Sequence, residues 1–104
     1  MLATIPVGIF QSDRVGRVTA ANASFVALVT GGVSSSPTAM NASAPWAHAH
    51  PGDRAHAELT WRRATDAAAT IDIEFRVWHS SGRYVWVKLQ AEPQLDPLGR
   101  CYGY

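Results

Sequence analysis

Three histidines, His48, His50 and His56, fall within nine residues of one another and are the first candidates for chemistry in this 104-residue sequence. Zinc takes three or four converging ligands in a tetrahedral array. Neither a cysteine nor a well-spaced acid accompanies these histidines, so no metal site is expected. His50 has a separate explanation in His50-Pro-Gly-Asp53, which reads as the start of a helix. There the ring can bond nearby backbone, proline suits the first turn, and the aspartate lies near the positive end of the helix dipole. Serines are plentiful, but no nucleophile elbow surrounds any of them, and no pair of acids sits at two strand ends. The sequence therefore offers no catalytic residue, and an independent enzyme is not expected.

The positions that stand out are aromatic. Residues 71–78 and 84–91 alternate in character with a period of two, the pattern of half-buried strands. Ser80-Ser81-Gly82 between them suits a three-residue hairpin loop, with glycine in the left-handed conformation. That loop sets His79 opposite Arg83 and so fixes every other pair. Ile71, Ile73, Phe75 and Val77 meet Ala91, Leu89, Val87 and Val85 on one face, an apolar ladder. The other face sets Asp72 against Gln90, Glu74 against Lys88, Arg76 against Trp86, and Trp78 against Tyr84. Such charge, cation–π and aromatic pairs are each worth a few tenths to about 1 kcal/mol. Arg76, Trp78, Tyr84 and Trp86 would form an exposed patch of the type that marks a partner surface.

Upstream, residues 7–10 and 17–20 read as two strands around a turn at 12–16. Asn22 is a good N-cap for a helix over about residues 23–30, with Phe25, Leu28 and Val29 on one face. Residues 33–44 are Ser, Thr, Ala, Asn and Pro for the most part and read as a flexible connection. A turn of helix is expected near Trp46, with its ring pointing inward. A longer helix over about 53–67 places Ala57, Trp61, Ala64 and Ala68 on one stripe. Pro93 and Pro97 bracket a turn into a last strand. The order β-β-α-α-α-β-β-β predicts an α+β domain with helices on one face of an antiparallel sheet. The space between them would be a small ligand pocket lined by Phe25, Leu28, Trp46, Trp61, Phe75, Val77, Val87 and Leu89, open to a small molecule unless the side chains fill it.

Composition narrows the partners. The chain is 47% hydrophobic and 16% charged with a formal charge of +1, and no basic stripe offers a footing for nucleic acid. No charged residue lies between Arg17 and Asp53, yet Asn, Ser, Thr, Gly and Pro interrupt that segment. A spanning helix needs about 20 predominantly apolar residues, so no membrane insertion is expected. The N-terminus lacks the pattern of a signal peptide. The single cysteine, Cys101, leaves no internal disulfide and fits a reducing, cytoplasmic setting. Length fits one domain, and the abrupt ends read as those of a domain excised from a larger protein.

Five pieces in order resemble the PAS domain family, in particular its subgroup common in bacterial sensor proteins. They are Ile5-Pro-Val-Gly-Ile-Phe10, Asp13-Arg-Val-Gly-Arg17 followed by Asn22, Trp46 before His50-Pro-Gly-Asp-Arg54, Glu74-Phe-Arg76, and Gly82-Arg-Tyr-Val-Trp-Val87. The closing Gly99-Arg100 and Gly103-Tyr104 are similar to the family's final strand. The resemblance implies a five-stranded antiparallel sheet with helices on one side. It also implies a sensory or docking module, dimerising and joined to an output domain such as a histidine kinase or a cyclic-dinucleotide enzyme. Relatives that bind flavin covalently use a cysteine on a helix after the first strands. Cys101 lies instead in the last strand, so that photochemistry is not expected. Haem-binding relatives use a histidine on the long helix. His56 sits near that helix's first turn without the matching spacing, and it reads as a surface histidine. The small polar residues of 31–44 depart from the family, so the resemblance names no ligand.

Overall fold

The computed structural model describes residues 7–104, so Ile5 and Pro6 of the first motif lie outside the described residues. Strand β1 (Phe10–Ser12) pairs antiparallel with β2 (Val18–Ala21). The turn between them is held by Asp13, whose Oδ1 accepts the Arg17 amide at 2.9 Å while Oδ2 meets the Arg17 guanidinium at 2.9 Å. β1 thus starts three residues later than the sequence implies and runs on through Ser12, which pairs with Val18.

Asn22 caps helix α1 (Ala23–Val29), its Oδ1 accepting the Phe25 amide at 2.8 Å. The same oxygen accepts the Ile9 amide at 3.0 Å, and Nδ2 donates to the Val7 carbonyl at 2.9 Å. One side chain therefore starts the helix and fixes the segment leading into β1 against it. The buried face of α1 is Phe25, Val26 and Val29, whereas Leu28, expected among them, is 49% exposed. The residues at 0, 1 and 4 turn to the core, which leaves Leu28 on the flank.

No third helix is present among the described residues. The segment after α1 is a series of turns closed by bonds such as Ala39 N–H to Ser36 carbonyl at 3.0 Å and Ala47 N–H to Ala44 carbonyl at 3.0 Å. It is anchored rather than loose. Met40 is buried, and Val18 of β2 exchanges backbone bonds with Ala42 and Ser43 at 2.9 Å each. Helix α2 (Pro51–Asp66) begins two residues before its expected start, because His50 caps it and Pro51 takes the first position. Ala57 and Trp61 are buried along it, as the stripe requires. Ala68 lies beyond the helix at φ 49° and does not extend that stripe.

The hairpin of β3 (Ile71–His79) and β4 (Arg83–Ala91) carries the register read from its loop, from Ile71 opposite Ala91 to His79 opposite Arg83. Gly82 takes φ 92° in that loop. Two short strands follow, β5 (Gln94–Leu95) and β6 (Cys101–Gly103), paired with each other. The result is an α+β fold with three two-stranded antiparallel sheets rather than one five-stranded sheet. The β3–β4 ladder ends where β3 begins, at Ile71 opposite Ala91, and Glu92-Pro93 separates β4 from β5. β6 spans only three residues, after which Tyr104 exchanges backbone bonds with Ser12 at 2.8 and 3.1 Å. The first hairpin is thereby tied to the last, while β1 and β4 stay apart.

Between the sheets and helices lies an aromatic core. The ring of Trp61 packs 5.3 Å from Trp46 and 5.2 Å from Tyr104, and Phe10 stacks on Phe25 at 4.7 Å. Phe75 and Val77 of β3 are fully buried against it. Tyr104 contributes its ring to this core and donates its hydroxyl to the Ala69 carbonyl at 2.9 Å.

Candidate functional site

The outer face of the β3–β4 hairpin gathers the four residues that the sequence marks as a partner surface. Alternation along each strand sends Asp72, Glu74, Arg76 and Trp78 outward with Tyr84, Trp86, Lys88 and Gln90. Trp86, Trp78 and Tyr84 are 64%, 53% and 46% exposed, large for side chains of this area. The Trp78 and Tyr84 rings meet edge-on at 5.0 Å, and the Arg76 guanidinium lies 5.5 Å from the Trp86 ring centre. Each contact is a cross-strand pair set by the register.

The patch is also wired to α2, a link that sequence reasoning missed. Asp53 stands in the first turn of α2, and its carboxylate receives the Arg76 Nε and Nη2 at 2.9 Å each and the Arg76 backbone amide at 2.9 Å. These bonds from Arg76, side chain first and backbone second, pull the Asp53 carboxyl down to about 2. The His50 backbone amide donates to the Arg76 carbonyl at 2.7 Å, and Ala49 bridges to Val77. The outer edge of β3 is therefore closed by residues 49–53. The His50 ring lies edge-on to Tyr84 with centroids 5.0 Å apart. Asp53 and Arg76 are 23 residues apart with no periodic relation, so no pattern in the sequence could have paired them.

The eight residues expected to line one interior pocket are distributed differently. Trp46, Trp61 and Phe75 fill the core. Phe25, Leu28, Val87 and Leu89 border a cleft of about 510 Å³, shared with Phe10 and Tyr104, between the β1–α1 side and β4. Val77 joins Leu28, Val85 and Val87 at a neighbouring groove of about 560 Å³. Val85, expected on the buried ladder, is exposed because this groove stays open beside it. Trp46 and Trp61 also form one wall of a smaller groove of about 340 Å³ with Arg14, Glu58 and Arg62.

The histidines remain apart in their roles. His50 caps α2, His79 holds the Ser81 amide and hydroxyl at the hairpin tip, and no cluster of metal-capable side chains forms among the described residues. Among the described residues no helix is long and apolar enough to cross a membrane.

The family described as PAS fold matches residues 32–104, more than two thirds of the chain. The chain belongs to that family, and its α+β elements, with two helices and antiparallel strand pairs, are of that fold. PAS domains are regulatory domains, so the chain is a sensory or signalling module. A comparison with curated proteins finds no match.

Proposed function

We propose that this PAS domain is a non-enzymatic docking module that self-associates through the outer face of β3 and β4 and passes a conformational signal to an attached output domain. A histidine kinase or a diguanylate cyclase is the kind of output domain intended. The observation that carries this reading is the pairing of a filled interior with an exposed aromatic face. Trp46, Trp61 and Phe75 occupy the space where a ligand would sit in the core, while Trp78, Tyr84 and Trp86 stand in solvent. Interfaces draw their affinity from tryptophan, tyrosine and arginine near the centre of the buried patch, and all three are present here. The lone Cys101 leaves no internal disulfide, which fits a cytoplasmic setting.

Sedimentation velocity on the wild type and on Trp86→Ala tests it. Dimerisation by the wild type, weakened about tenfold or more in the variant, supports the assignment. An unchanged dimer in the variant sinks it. A second reading, a small-molecule sensor, is favoured by the cleft of about 510 Å³ beside β4. Clefts of this size bind drug-sized ligands when mostly apolar. Native mass spectrometry separates the two, since mass lost on denaturation would identify a bound ligand, and a bare dimer would favour docking.

A further inference from the structure

We infer that Asp53 is the positioning residue of the outer β3–β4 face: acting through Arg76, it readies that face to be covered by a second copy of the chain. The inference rests on reading the face as the association surface. Among the described residues the other ion pairs are local. Arg17–Asp13, Arg62–Glu58 and Arg100–Asp96 each join residues four apart, with arginine side chains 61%, 67% and 73% exposed. Arg76–Asp53 instead joins β3 to the first turn of α2, with side chains 34% and 17% exposed. An acid nearer in sequence is passed over. Glu74 stands on the same face of β3 opposite Lys88, yet the Arg76 guanidinium is held by an acid from the helix.

The hold is a fork. Arg76 Nε and Nη2 donate to Oδ2 and Oδ1 of Asp53 at 2.9 Å each, and two such bonds fix the plane of a guanidinium as one cannot. Oδ2 also accepts the Arg76 backbone amide at 2.9 Å, so Asp53 grips the residue at both ends. The guanidinium carbon rests 5.5 Å from the Trp86 ring centre, within reach of a cation–π contact. Burial makes this arrangement matter. A second copy that covers the exposed Trp86 ring also covers the guanidinium beside it. A lone charge taken out of water is costly, whereas one already paired and hydrogen-bonded keeps its compensation. Because the pair is complete within one copy, association has no arginine side chain to order at that point. Asp53 is itself largely shielded, so its effect reaches the partner through Arg76 and Trp86.

The test is a double-mutant cycle on self-association, by sedimentation velocity at neutral pH, with wild type, Asp53→Asn, Arg76→Met and the double variant. Asp53→Asn should weaken the dimer about tenfold or more, because it leaves the guanidinium buried without a counter-charge. In the Arg76→Met background the same change should matter by less than about twofold. Arg76→Lys keeps the charge but cannot form the fork, and it should weaken the dimer as well. An Asp53→Asn dimer within about twofold of wild type overturns the inference. Equal weakening in both backgrounds also overturns it, since the effect then lies in the start of α2 and not in Arg76. Far-UV circular dichroism checks that each variant is folded. Should Asp53→Asn not fold, Arg76→Lys decides, and a dimer as tight as wild type overturns the inference. If Trp86→Ala weakens the dimer while Asp53→Asn does not, this inference alone fails. If Trp86→Ala has no effect, or the wild type stays monomeric, the association reading fails and takes this inference with it.

Discussion

Replacing Trp61 with alanine measures how full the interior is. Trp61 is 2% exposed, with ring centroids of Trp46, Tyr104 and Phe10 at 5.3, 5.2 and 6.4 Å. Aromatic neighbours on three sides are held by their own strands and turns, so they cannot collapse fully into the space left behind. A buried tryptophan truncated to alanine costs about 3–5 kcal/mol, transfer and cavity together. The indole N–H also donates to the Arg14 carbonyl at 3.2 Å, and the single Thr65 hydroxyl hydrogen is shared between that carbonyl at 3.2 Å and the Trp61 carbonyl at 2.9 Å, so losing the indole bond adds to the cost. Against a total stability of about 5–15 kcal/mol, such a variant is close to its limit. In urea unfolding followed by far-UV circular dichroism, Trp61→Ala should lose about 4 kcal/mol and Trp61→Phe only about 1–2. Added indole should restore part of the loss, because a dry apolar cavity takes up an aromatic molecule. A loss of about 1 kcal/mol or less in Trp61→Ala would refute the filled interior and, with it, the argument for docking over ligand sensing.

Gly31 and Gly82 both have positive φ, at 66° and 92°, yet they should respond differently to alanine. A Cβ on Gly31 would collide with the Trp78 backbone carbonyl, whereas nothing lies within 4 Å of one on Gly82. Gly31→Ala should therefore cost at least about 2 kcal/mol and Gly82→Ala about 1, by thermal melts of both variants. Similar losses would remove the contact argument. For Asp53, a carboxyl lowered from 3.8 to about 2 contributes stability that is present above pH 4 and lost as pH falls toward 2. Asp53→Asn should be less stable at neutral pH and should flatten that acid limb in a pH series of urea midpoints. An unchanged limb would mean that other carboxylates set it.

The hairpin was legible because two independent signals agreed. A three-residue loop with glycine fixed the register, and strict alternation on both arms fixed the faces. Asn22 was legible for the same local reason, as a cap acts on amides two or three residues away. What lay beyond local pattern was not. Leu28 sits at a spacing from Phe25 that fits a buried stripe, but the cleft between α1 and β4 leaves it exposed. Met40 lies in a segment of small polar residues, and its place in the core follows only once Ala42 and Ser43 are bonded to Val18. The division into three sheets depends on β5 pairing only with β6 and on where Tyr104 meets Ser12, neither of which periodicity reports.

The long connection after α1 does more than join elements. Ala42 and Ser43 occupy the edge of β2 at Val18, and residues 49–53 occupy the edge of β3 at Arg76 and Val77. Those two strand edges are thus spent on the chain itself at those points. Open-ended stacking of copies by strand pairing needs a vacant border on each side of every unit. At Val18 and at Arg76–Val77 that vacancy is filled by the chain's own turns, which blunts two strand edges against templating by a second copy.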